Sequence, residues 1–328
     1  LILDESHYAK SPDAKRTQAV YGTFRGASRG WGVCDAAARV WCLTGTPIPN
    51  APNDLYPMLR ALDGARIEDV LKYEDFLHRY CIVKKKAISR YNKIDVVIGG
   101  RNLEELKARL DGFWLRRTQA DVGIRPPTFE MLPLHLSSQE RKAVELAVPE
   151  GADILAAAET GETKSLDIAL GTLRRLTGQI KAQKVAAVVA EEFESGLDKI
   201  VLFAWHKDVV ETLARALAKY GVVRVDGGTE PADREKAVQA FSKPNEPRVF
   251  IGQIIAAGEA IDLSAAAELI FVETSFVPKD VKQASLRVTN HGQTRQTRVR
   301  VAALEGSIDE ALQAVVIRKV STNREVMK

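Results

Sequence analysis

Two hydrophobic patterns alternate along this chain: short unbroken apolar runs, and longer stretches with apolar residues every three or four positions. Leu1-Ile2-Leu3, Arg39-Val40-Trp41-Cys42-Leu43, Lys199-Ile200-Val201-Leu202-Phe203-Ala204, Val222 to Val225, Arg248 to Ile255 and Leu269 to Val272 belong to the first kind. Such runs are too short for stable helices and predict buried strands. Asp208 to Tyr220 sets Val209, Leu213 and Leu217 on one face, and Asp233 to Phe241 reads as a second helix. Strand and helix in turn after Lys199 predict a parallel sheet with helices on its faces, an α/β fold. From about Ser137 to Glu194, Leu166, Ile168, Leu170, Leu173 and Leu176 recur at spacings that a helix partly buries, which suits an insertion or a bridge.

Length and composition add bounds. The 328 residues suggest two domains, and 45% hydrophobic with 27% charged residues is ordinary globular usage. No apolar stretch is long enough to span a bilayer, and the first residues do not form a signal peptide. Cys34, Cys42 and Cys81 are odd in number and lack Cys-x-x-Cys spacing, so a reducing, cytoplasmic setting is expected rather than a disulfide framework or a zinc site. Net charge is a mild +4, yet Arg79 to Arg125 holds twelve Lys and Arg against five Asp and Glu, including Lys84-Lys85-Lys86 and Arg116-Arg117. Gathered on one face these would favour a phosphate backbone; a solvated surface fits the same run equally well. Of Trp31, Trp41, Trp114 and Trp205, those within apolar runs read as core, and Trp205, beside His206-Lys207 at a strand end, is retained as a candidate contact.

The candidate chemistry sits at strand ends. Leu1-Ile2-Leu3 runs into Asp4-Glu5-Ser6-His7, the form of a magnesium-nucleotide site, and Leu43 runs into Thr44-Gly45-Thr46-Pro47, a turn enforced by Gly and Pro. Open α/β sheets bind ligands beyond the carboxyl ends of their strands, so the acidic pair and this turn are expected to face one crevice. A phosphate loop of the form Gly-x-x-x-x-Gly-Lys-Ser/Thr does not occur. Gly161-Glu162-Thr163-Lys164-Ser165 has Thr163 where the second Gly must precede the Lys. With a first residue that is not Met, the chain reads as the later part of a nucleotide-driven machine.

Asp4-Glu5-Ser6-His7, Leu43-Thr44-Gly45-Thr46-Pro47, Leu115-Arg116-Arg117, Asp226-Gly227 followed by Arg234 and Phe241, Ala257-Gly258, and Gln283-Ala284 through Gly292-Gln293 come in the order found in Swi/Snf-related helicase-like ATPases, which the chain resembles over nearly its whole length. The strings Phe203-Ala204-Trp205-His206-Lys207 and Arg174-Arg175-Leu176-Thr177-Gly178 look most like the annealing-helicase-like branch. The resemblance implies ATP and Mg2+ as cofactors. Asp4 would hold the metal through its water shell, and Glu5 would orient the attacking water. His7, Thr44, Gly45 and Thr46 would couple the nucleotide site to nucleic acid. Gly258, Gln283 and the catalytic Arg287 would complete the site from a second lobe, and Arg116, Arg117, Trp205 and Lys207 would touch nucleic acid. Two positions depart from the pattern: Asn290 stands at its second arginine, and Ala260 where Gly is common. A neutral amide cannot replace an arginine that neutralises a transferring phosphoryl group, an effect of about 10³ to 10⁵ in rate. His291 and Arg295 lie nearby and read as solvated loop side chains.

The resulting expectation is RecA-like parallel sheets flanked by helices, one lobe partial and one complete, with a helical insertion between them. Residues 1–126 would be the remainder of the first lobe, 127–195 the bridge and 196–328 the second lobe. The implied function is part of an ATP-dependent translocase of DEAH type on double-stranded DNA, cytoplasmic or nucleoid-associated. It would be inactive alone and completed, in cis or in trans, by the missing first-lobe segment. The alternative is a non-hydrolysing nucleic-acid-binding or regulatory module, a decayed or split ATPase.

Overall fold

A computed structural model describes residues 1–45, 48, 51–87, 93–115, 117, 120–147, 154–155, 167–245, 247–254, 261–275, 278–289 and 292–322. The chain divides into two units, Leu1–Arg116 and Arg117–Lys328.

In the first unit the apolar run at the start forms β1 (Ile2–Leu3). It is followed by α1 (Lys15–Tyr21), β2 (Phe24–Arg25), β3 (Ser28–Arg29), β4 (Trp41–Cys42), α2 (Tyr56–Leu62), α3 (Tyr73–Tyr80), β5 (Cys81–Ala87), β6 (Lys93–Gly100) and α4 (Leu103–Leu110). β1 and β4 pair in parallel, Ile2 opposite Trp41 and Leu3 opposite Cys42. β2–β3 and β5–β6 are antiparallel hairpins. The core lies among the helices, where Leu55, Tyr56, Leu59, Ile67, Val70, Phe76, Tyr80 and Leu106 pack together. Tyr56 and Phe76 meet edge to face and Phe76 and Tyr80 at a tilt, with centroids 5.4 and 4.9 Å apart, favourable aromatic geometries. Trp41 corrects the expectation that tryptophans in apolar runs are core: it is 60% exposed. The parallel pair that carries it has two strands, so one strong apolar run did not guarantee a covered face.

The second unit comprises β7 (Thr128–Leu134), α5 (Ser138–Ala147), α6 (Asp167–Glu194), β8 (Ile200–Ala204), α7 (Lys207–Ala216), β9 (Val222–Val225), α8 (Pro231–Ser242), β10 (Val249–Gln253), β11 (Glu268–Phe271), α9 (Pro278–Ser285), β12 (Arg298–Leu304) and α10 (Ile308–Thr322). Six strands form one sheet in the order β7-β12-β11-β8-β10-β9, every pair parallel. Alternation along β8 shows why the strand is apolar throughout. Ile200, Leu202 and Ala204 join a cluster with Val185 and Val189 of α6 and Leu213 of α7. Val201 and Phe203 join another with Phe241 of α8, Ala284 of α9 and Val316 of α10. A sheet covered on both faces leaves no polar side to β8. Each fully buried Phe or Leu contributes roughly 1.5–3 kcal/mol of burial free energy.

The stretch from 127 to 195, read as a bridge, supplies β7, α5 and α6 to this second unit. β7 carries Pro133, which its edge position tolerates because a proline has no N–H to give to a further neighbour. Among the described residues no helix is long and apolar enough to cross a membrane.

Candidate functional site

Parallel pairing of β1 and β4 brings the acidic run and the Thr-Gly turn to the same edge. The backbone continues the pairing past both strands, with Leu43 N–H donating to Leu3 O and Ser6 N–H to Leu43 O, at 2.8 and 3.0 Å. Asp4 is exposed at the strand end, and its Oδ1 accepts the N–H of Glu5. Glu5 adopts φ 48° and ψ 42°. This left-handed conformation costs a residue with a Cβ roughly 1–2 kcal/mol, and such strain tends to collect at functional sites. The reversal turns the chain so that His7 is buried, 6% exposed, with Nδ1 2.8 Å from Thr44 Oγ1 and 3.0 Å from Glu5 Oε2. Ring and hydroxyl share a hydrogen supplied by either, according to the tautomer. The Glu5 contact is one of proximity, Oε2 lacking the alignment of a hydrogen bond. Gly45 lies in open space. Thr46 lies outside the described residues.

Among the described residues of the basic run some are paired within the fold and others are exposed. Arg79 and Arg109 are engaged with carboxylates: Arg79 Nη2 lies 2.8 Å from Glu105, and Arg109 Nη2 donates to Asp69 Oδ2 at 2.8 Å. Tyr80 donates to the same Glu105 at 2.8 Å. Hydrogen bonds from Arg109 hold the Asp69 carboxyl down at about 2, outweighing the smaller upward push of burial. Lys84 and Lys85 are exposed on β5, and Arg117 is exposed at the start of the second unit. Arg116 lies outside the described residues.

In the second unit Gln283 sits on α9 and Arg287 in the 3-10 turn Leu286–Val288 that follows; both are partly buried. The carbonyl of Arg287 accepts the N–H of Leu263 at 2.8 Å, fixing the turn against the residues that precede β11. Gln293 stitches the same region: its Nε2 donates to the carbonyls of Ala266 and Ser264 at 2.8 and 3.0 Å. Arg295 is also engaged, with Nη2 on the Ala265 carbonyl at 2.6 Å and Nη1 3.5 Å from Asp198. Gly258, Ala260, Asn290 and His291 lie outside the described residues. Lys207 is exposed as the first residue of α7, while Trp205 is half-buried with the Arg174 guanidinium 4.4 Å from its ring centroid. That cation occupies a ring face on which a base would stack.

Sequence reasoning did not single out Glu273, which is 1% exposed two residues past β11. Its Oε2 accepts the backbone N–H groups of Trp205 and His206, both at 2.8 Å, and its Oε1 lies 2.6 Å from His206 Nδ1. A carboxylate only accepts, so the ring nitrogen donates. The one sequence signal was Gly178, a helix-weakening residue inside the long α6.

A model of the SNF2-related domain matches residues 1–185. The chain belongs to the SNF2-related family. A model of the helicase conserved C-terminal domain matches residues 181–292. The human DNA annealing helicase and endonuclease ZRANB3 is 26% identical over 326 residues, covering 97% of this chain and 29% of that protein. The Xenopus tropicalis SWI/SNF-related matrix-associated actin-dependent regulator of chromatin subfamily A-like protein 1 is 29% identical over 335 residues, covering 98% and 32%. This SNF2-related chain thus spans about a third of the length of these curated relatives. Among solved structures, the Sulfolobus solfataricus SWI2/SNF2 ATPase core in complex with dsDNA aligns with 99% of this chain and 68% of its own, at 21% identity and a TM-score of 0.46. The C-terminal part of the Fun30 ATPase domain aligns with 59% and 90%, at 16% identity and a TM-score of 0.47.

Proposed function

We propose that this chain is part of an ATP-dependent, DEAH-type motor that moves on double-stranded DNA. The observation that carries the reading is the meeting of Glu5, His7 and Thr44 at the ends of adjacent parallel strands in a member of the SNF2-related family. A relative named as a DNA annealing helicase supports DNA as the partner. A position in the cytoplasm or at the nucleoid follows from the same reading.

The residues fit magnesium and a nucleotide. Asp4 is an exposed hard-oxygen ligand at a strand end, suited to a cation that keeps several waters and phosphate oxygens around it. When bound, the nucleotide supplies the anhydride bond whose hydrolysis drives movement, with the metal neutralising its phosphates. Asp4 would hold the hydrated ion and Glu5 would orient the attacking water. His7, buried against Thr44, passes a change at Glu5 to the Thr44-Gly45-Thr46 turn. By the family resemblance Gln283 and Arg287 would give donors and positive charge to the nucleotide, with Gly258 of the same pattern. Arg116, Arg117 and Lys207 would contact DNA phosphates, and Trp205, the neighbour of Lys207 but one, would lie near such a contact. Turnover requires a phosphate loop from a further first-lobe segment, in cis or in trans, because these 328 residues contain no Gly-Lys-Ser/Thr loop.

Two measurements on the purified chain test this. Duplex DNA binding by fluorescence anisotropy is expected and should weaken steeply with salt; a chain that ignores duplex DNA sinks the motor reading. Phosphate release with DNA and ATP is expected to stay at background, and release abolished by Glu5→Gln would overturn the requirement for a further segment.

Asn290 favours a second reading, a nucleic-acid-binding or regulatory module without turnover. In a protein that carries the phosphate loop, Asn290→Arg should speed hydrolysis if the asparagine limits it. A brisk parent enzyme removes this alternative.

A further inference from the structure

The two strings that carry the annealing-helicase-like resemblance, Arg174 to Gly178 and Phe203 to Lys207, meet in one joint. Arg174 covers the Trp205 ring. One residue on, Arg175 Nε donates to Asp208 Oδ2 at 3.1 Å. Gly178, on the same helix, faces the Glu273 carboxylate so closely that a Cβ there would lie 2.4 Å from Oε1 and 2.6 Å from the carboxyl carbon. Only a residue without a Cβ lets α6 pass at this distance.

Glu273 gathers the amide side of the Trp205-His206 turn through two N–H bonds and the His206 ring. The carbonyl side is held from β10, where Gln253 Nε2 donates to Trp205 O at 2.8 Å and Gln253 Oε1 accepts Gly227 N–H at 2.9 Å. The next two residues tie the strand end elsewhere. Thr274 donates to Gln313 of α10 at 2.6 Å, and Ser275 to Asp280 of α9 at 2.7 Å. Three consecutive buried polar side chains therefore bind three different elements. Lys207 is the exposed cation that this fixed turn presents, with its ammonium 3.9 Å from the place of a Cβ on Gly228.

We infer that Glu273 is a positioning residue for the grip of the second unit on DNA: it locks the Trp205–His206 turn so that Lys207 is held over the Asp226-Gly227-Gly228 turn as a phosphate contact. The inference rests on the DNA reading above. Burial of a carboxylate at this position is otherwise costly, and its three hydrogen bonds to one partly buried turn are what offset the loss of water.

The test is the salt dependence of duplex DNA binding by the 328-residue chain, followed by anisotropy. Each lost phosphate contact lowers the slope of log K against log salt by about 0.9. Lys207→Ala should lower it by that amount, Glu273→Gln should do the same, and the double variant should lose no more than either alone. A carboxamide keeps the shape but has one acceptor oxygen, so its amide nitrogen turns a donor toward either the two backbone N–H groups or the His206 ring N–H. Gly178→Ala, which adds a methyl against the carboxylate while raising helix propensity, should reproduce the loss if Glu273→Gln does not fold. A merely structural Glu273 would move the melting temperature and leave the slope alone. A slope unchanged by Glu273→Gln or by Lys207→Ala, or a double variant that loses twice as much, overturns the inference while the DNA reading stands. A parent chain without salt-dependent binding overturns both.

Discussion

The Nδ1 of His7 and the hydroxyl of Thr44 stand 2.8 Å apart, joining residues 37 positions apart at the ends of β1 and β4. Because His7 is buried, the hydroxyl satisfies a ring nitrogen that water does not readily reach. Thr44→Val keeps the shape and removes the partner, so the first unit should lose about 1–3 kcal/mol in urea unfolding, and Thr44→Ser should restore most of it. Equal midpoints for all three proteins would show that the contact carries no stability.

Lys181 of α6 and Asp309 of α10 form a fully buried ion pair at 2.8 Å, and Asp309 also accepts Leu304 N–H and Gln313 Nε2 at 2.9 and 3.1 Å. Removing one partner strands a charge away from water. Asp309→Ala is expected to destabilise the second unit by about 3–5 kcal/mol, whereas Lys181→Met with Asp309→Asn should cost less than the sum of the single changes. Additive losses in chemical denaturation would rule out the coupling.

Asp69 gives a pH prediction. Arg109 lowers its folded pKa from 3.8 to about 2, so its contribution to stability is present above the unfolded value and lost as pH falls from about 4 toward 2. Half-exposed groups are screened, so the effect is modest. The melting temperature of the first unit should fall more steeply over that window in the parent than in Asp69→Asn. Parallel curves would contradict it.

Arg300 is 5% exposed on β12 and meets both oxygens of Glu192, a bidentate pair that a lysine cannot reproduce. Arg300→Lys should cost roughly 2 kcal/mol of stability in the second unit by urea titration. No loss would mean that a single point charge suffices there.

Legibility differed by element for physical reasons. β8, β10 and β11 were readable because both faces of a covered parallel sheet are apolar, leaving runs such as Ile200 to Ala204, and the edge strand β9 by its valines on either side of the exposed Arg224. β12 escaped notice because Arg298 and Arg300 interrupt its apolar run; Glu268 and Glu192, 30 and 108 residues away in sequence, satisfy them. β7 was obscured by Pro133, which is compatible with a strand only at an edge. The strand ends beside Asp4 and Thr44 were readable as a shared edge, and the parallel pairing of β1 and β4 joins them. Glu273 was not readable, because a lone glutamate after an apolar run looks like any solvated one.

The sequence by itself determined what depends on neighbours along the chain: the apolar runs that become strands, the acidic box after the first of them, and the ordered motifs of the SNF2-related family. Tertiary structure alone decided which polar groups are buried together. Glu273 with His206, Lys181 with Asp309 and His7 with Thr44 each join residues at least 37 positions apart. Their partners are set by how helices and strand ends pack, and no local propensity records that choice.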